Sequence, residues 1–210
     1  MTSQIARTAT IAISAIIGLA WLVGSVLVPP QQLAIELGFI PARFSGVPLP
    51  GALVPAVLTP LTATLVHSGA LHVGFNLLIF LWCGTQVERI LGRTGVIGLF
   101  LVGAFAAAVA QWAVDPMSVV PMIGASGAVS AVMGAFALSF GRAKILTRSP
   151  RINRWVNAVW LMAAWIVLQL MIGWLAGGQG YLLATPAHIG GFAAGLLMQR
   201  PLLLWRYRSA

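Results

Sequence analysis

Long apolar runs separated by short polar or basic segments organise this chain. Six of them reach the roughly 20 residues that a helix needs to cross about 30 Å of hydrocarbon: about 8–28, 70–91, 94–114, 123–141, 155–175 and 186–205. The pattern predicts an all-α bundle of six membrane-crossing helices. Trp155 and Trp174 bracket the fifth run; 19 residues apart at about 1.5 Å each, they place both indoles near the interfaces. The stretch 29–69 is also apolar, but Pro29, Pro30, Pro41, Pro48, Pro50 and Pro55 interrupt it. It therefore reads as a long outer loop lying in the interface or dipping partway into it. No internal repeat is visible, so the inverted-repeat architecture of many transporters is not supported.

The connecting segments orient the bundle. Arg7 precedes the first run, Arg89 and Arg93 lie at the turn after the second, and Arg142, Lys144, Arg148, Arg151 and Arg154 follow the fourth. Arg200, Arg206 and Arg208 end the chain. Eleven of the twelve cations fall on one side, leaving Arg43 on the other, and the positive-inside rule makes that side, with both termini, cytoplasmic. The run from Thr8 to Val28 is a full span, and Val28-Pro29-Pro30 offers no small-x-small cleavage site, so it reads as a retained helix rather than a signal peptide.

Composition agrees: 60% hydrophobic and 7% charged residues describe a multi-pass membrane protein, read here as one domain over 1–210. The net charge of +9 does not point to nucleic acid, because the cations are scattered between hydrophobic runs and form no basic helix laced with aromatics. Cys83 is the single cysteine; an intrachain disulfide is impossible, and the residue reads as a small buried hydrophobe.

Polar side chains inside a membrane are candidate functional groups by default. In HSGALHVGFN, residues 67–76, His72 and Asn76 share one helix face about 6 Å apart. Taken alone, the pair reads as interhelical hydrogen bonding. Ser126 heads the fourth run among Gly124, Gly127, Ser130 and Gly134, and alone it reads as packing material. His188 heads the sixth, with Gly191 and Gly195 forming a small-xxx-small face just below. Two such faces pack closely and carry their leading polar residues to one depth. A serine hydroxyl needs a base to become a nucleophile, and imidazole suits that near neutral pH. An oxyanion needs preorganised donors, which His72, Asn76 and the N–H groups at the head of the fourth helix can offer. Glu36, Glu88 and Asp115 are the only carboxylates, and none is placed to orient His188. The arrangement is therefore a Ser/His dyad.

These residues resemble the rhomboid family of intramembrane serine proteases. The family's GxSG at the start of the fourth helix is matched by Gly124-Ala125-Ser126-Gly127, its HxxxxHxxxN by His67, His72 and Asn76, and its AHxxGxxxG by Ala187, His188, Gly191 and Gly195. The likeness covers about residues 55–200. It implies a six-helix rhomboid-like bundle in which Ser126 is nucleophile, His188 general base, and His72 with Asn76 and Ser126 the oxyanion site. His67, Gly124, Gly127, Gly191 and Gly195 would be supporting residues. Glu88 and Arg89 resemble the acidic and basic pair that ends the second helix, as a structural anchor. One departure is clear: PLPGALVPAVLTPLTATLVH, residues 48–67, lacks the Trp-Arg pair that many members carry there.

The resemblance further implies an endopeptidase that cuts single-span membrane-protein substrates near the outer leaflet, at helix-weak sites with small residues. The 176–185 loop would be a mobile cap. The expected setting is a bacterial cytoplasmic membrane, with the bilayer and substrate helices as partners and neither metal nor cofactor. A non-proteolytic relative that binds membrane helices is the alternative, although such relatives usually lack the serine or the histidine and both are present here. A transporter or channel would require intramembrane carboxylates or symmetric broken helices, and neither is visible.

Overall fold

A computed structural model describes residues 8–51, 54–140, 147–175 and 184–208. Helix dominates them: α1 (Thr8–Leu27), α2 (Pro30–Leu37), α3 (Pro41–Phe44), α4 (Thr59–Thr62), α5 (Ala70–Val114), α6 (Ser126–Phe140), α7 (Pro150–Leu175) and α8 (Thr185–Arg206). Three of these, namely α1, α5 and the Pro150–Met171 part of α7, are long and apolar enough to cross a membrane by length and composition. The 15 residues of α6 span only about 22 Å at 1.5 Å each, and α8 carries Gln199, Arg200 and Pro201 before its end.

A single run of 45 residues, α5, is two helices joined at Gly92, whose φ of 76° and ψ of 176° interrupt the helical backbone. The rings of Phe80 and Phe100 lie 5.5 Å apart, whereas twenty residues of straight helix would separate them by about 30 Å. The chain therefore folds back at Gly92. Only glycine suits that φ, and a side chain there would also strike the Arg206 guanidinium at the end of α8.

Where the sequence suggests a helix from 123, α6 begins at Ser126. Gly124 is the cause: its φ of 109° lies outside any helix, and its N–H is drawn to the Ala63 carbonyl at 2.9 Å. Pro30 and Pro41 open α2 and α3, and Pro60 lies in the first turn of α4, positions where a missing N–H breaks no helical bond. The described residues of 29–69 consequently include several short helices. They are tied down by paired backbone bonds between Phe39 and Met122 at 3.0 and 2.7 Å, and by Ala42 N–H to Ser118 O at 3.0 Å.

The packing core is α5, α6 and α8. It is built on small residues: a Cβ at Gly191 would strike the Gly127 carbonyl, one at Gly195 the Ala131 carbonyl, and one at Gly134 the Phe192 carbonyl. Backbones therefore approach to contact distance along the whole α6–α8 seam, the geometry that maximises van der Waals packing between membrane helices. Four residues before the Gly92 turn of α5, the buried Glu88 carboxylate accepts the Ala9 N–H at 3.0 Å, the Thr10 N–H at 2.9 Å and the Thr10 hydroxyl at 2.6 Å. It satisfies donors that the first turn of α1 leaves unpaired. Cys83 is fully buried in the core, its thiol donating to the Ile79 carbonyl at 2.9 Å.

Candidate active site

Ser126 is the first residue of α6 and His188 lies in the first turn of α8. The glycine seam holds these two starts side by side, and Ser126 Oγ lies 2.8 Å from His188 Nε2. Both side chains are buried, at 6% exposure each. That distance suits direct proton transfer from the hydroxyl to the imidazole.

Two residues before Ser126, the backbone of Gly124 passes against α5. A Cβ on Gly124 would sit 2.7 Å from both His72 Cε1 and Nε2 and 3.7 Å from Asn76 Nδ2, so only glycine lets the loop lie this close. Asn76 is fully buried, and neither its Nδ2 nor its Oδ1 has a hydrogen-bond partner. Burying an unpaired amide costs about 1–3 kcal/mol, which suits a group held ready for a transient partner. His72 Nδ1 is 3.1 Å from Ser68 Oγ. The first N–H groups of α6 have no intrahelical acceptor and add positive potential at Ser126.

His67 supports this loop from behind. Its Nε2 accepts the Ala125 N–H at 3.2 Å, and its ring stands edge-on to His72 with centroids 4.8 Å apart. Burial, reinforced by neighbouring His72, holds His67 well below its ordinary value near 6.5. The imidazole is therefore neutral at pH 7 and keeps Nε2 free to accept.

A hollow adjoins the nucleophile, lined by Ala104, Ala107, Met122, Gly127, Ala184 and Ala187 among others, with a volume of about 10 Å³. That is room for about one water-sized group. The three side-chain carboxylates lie elsewhere: Glu88 bonds the start of α1, Glu36 accepts from Gln32 at 2.7 Å, and Asp115 follows the C-terminal end of α5.

None of the site residues expected from the sequence lies on α7. Gln169 Nε2 lies 3.5 Å from His188 Nε2, and the Trp165 ring stands edge-on to that imidazole at 6.3 Å. Trp165 Nε1–H donates to Ser130 Oγ at 2.7 Å, and Ser130 in turn donates to the Ser126 carbonyl at 2.7 Å. The signal was present: a glutamine in an apolar span, four residues from a tryptophan on one face. The 176–183 part of the suggested cap lies outside the described residues, as do Arg7, Arg142 and Lys144.

The profile of the Rhomboid domain family matches residues 55–205. The chain belongs to the rhomboid family. Similar curated proteins include Rhomboid protease GlpG of Serratia proteamaculans, 32% identical over 134 residues that cover 63% of this chain and 44% of that protein. Rhomboid-type serine protease 2 of Emericella nidulans is 28% identical over 142 residues, 63% of this chain and 24% of its own. Rhomboid protein 1, mitochondrial, of Saccharomyces cerevisiae is 28% identical over 138 residues, 62% of this chain and 38% of its own. This rhomboid thus spans less than half the length of these relatives.

Proposed function

We propose that this rhomboid is an intramembrane serine endopeptidase that cleaves the transmembrane helices of membrane proteins. One observation carries the reading: a hydroxyl and an imidazole 2.8 Å apart at the heads of two apolar helices. Ser126 Oγ attacks the scissile carbonyl as its proton passes to His188 Nε2. Asn76, His72 and the Ser126 N–H receive the oxyanion. His188 then gives the proton to the leaving amine, and water hydrolyses the acyl-enzyme by the same exchange in reverse. Seven of the motif residues have structural neighbours that fit these assignments: Ser126 and His188 face each other, His72 and Asn76 flank Gly124, His67 holds Ala125, and Gly191 and Gly195 seat α8 on α6.

The whole chain acts as one domain that crosses the bilayer six times, α5 crossing twice about Gly92, with both termini cytoplasmic and the dyad in the outer leaflet. Substrates are single-span proteins that unwind locally, and the hollow beside Ser126 favours a small side chain at the cut. The test is cleavage of a generic single-span substrate by purified protein in detergent. The parent cuts; Ser126→Ala and His188→Ala each fall by roughly 10³-fold or more. Undiminished cutting by either variant removes the dyad.

A further inference from the structure

The described part of α7 buries few side chains, and three of them, Ala158, Trp165 and Gln169, lie at spacings of seven and four, so they form one stripe. At its outer end that stripe meets the imidazole. Gln169 is only 7% exposed, and its amide approaches the same nitrogen, His188 Nε2, that faces Ser126. A buried glutamine in an apolar helix needs a reason.

We infer that Gln169 stabilises the His188 imidazolium, in the absence of a carboxylate near the dyad. This rests on the proteolytic reading above. When Ser126 Oγ bonds to the electrophile, its proton moves to His188 Nε2, which becomes a cationic N–H donor. The oxygen that had faced it is now part of an ester and a poor acceptor. Gln169 supplies the replacement: a half-turn of its amide exchanges Nε2 for Oε1, and a shift of under 1 Å from 3.5 Å gives an ordinary hydrogen-bond length. Trp165, Ser130 and the Ser126 carbonyl fix the register, because their two bonds of 2.7 Å tie α7 to the turn that carries the nucleophile.

The test uses the full chain in detergent and a fluorophosphonate probe, which needs no helix docking. Ser126 Oγ bonds to phosphorus, fluoride leaves, and the serine proton goes to His188. Labelling rates at several probe concentrations separate kinact from KI. Gln169→Met, close in shape but without an acceptor, lowers kinact by about tenfold or more at neutral pH, with KI and the melting midpoint unchanged. Gln169→Glu keeps an acceptor oxygen and restores kinact to within about threefold of the parent. Should Met destabilise the bundle, Gln169→Asn, which withdraws the amide by one methylene, gives the same fall. Parental kinact in the Met or Asn variant overturns the inference, as does a Glu variant as slow as Met. A Ser126→Ala control that labels like the parent instead removes the serine reading, and this inference with it.

Discussion

At the scale of single residues, His67 shows how one buried imidazole ties the nucleophile loop to pH. Its folded form is neutral because burial and His72 hold it down, and its Nε2 must stay unprotonated to accept the Ala125 N–H. The unfolded chain, with an ordinary value near 6.5, binds a proton that the fold refuses. This contribution is therefore complete above pH 6.5 and is lost as pH falls below it, by up to about 1.4 kcal/mol per pH unit. Thermal unfolding between pH 7.5 and 5 should fall less steeply for His67→Gln than for the parent; superimposable curves would show that His67 has no such role. Legibility at this scale followed chemistry. Ser126, His188, His72 and Asn76 stood out as polar groups at the heads of apolar runs, and the structure sets Ser126 against His188 and brings His72 and Asn76 against Gly124. Gln169 did not, because a lone amide inside an apolar span equally suits hydrogen bonding between helices, and its partner lies 19 residues away on another helix.

Among the elements, glycines divide into two kinds that the sequence alone does not separate. Gly195 faces α6, where any Cβ strikes the Ala131 carbonyl, while Gly98 on α5 has nothing within 4 Å of a Cβ. Gly195→Ala should destabilise the protein by about 1–3 kcal/mol and slow serine labelling by parting α8 from α6. Gly98→Ala should do neither. Equal melting midpoints for the two variants would deny that the seam is closely packed. The apolar runs made the long helices legible, and small residues at spacings of three and four marked the seam. The structure of 29–69 was not legible: prolines mark a break, but they also open short helices at their first turn, and local sequence does not say that Phe39 will pair with Met122.

For the molecule as a whole, α1 and α7 flank a compact α5–α6–α8 core. Only 17% of the apolar window in α1 and in α7 is buried, against 44% in α5, and their exposed faces are apolar, with Val26 at 76%, Trp160 at 62% and Trp174 at 80%. Such faces belong against lipid, in keeping with a chain whose cations gather between its apolar runs. Within the core the dyad is buried, Gly124 is closely fitted against His72, and no side-chain carboxylate lies beside the dyad. The account therefore turns on whether Ser126 is activated by His188 at all. The most direct measurement is fluorophosphonate labelling followed by peptide mapping. The label should sit on Ser126 and vanish in a folded His188→Ala variant; a label on another residue, or one on Ser126 that survives loss of His188, would contradict it.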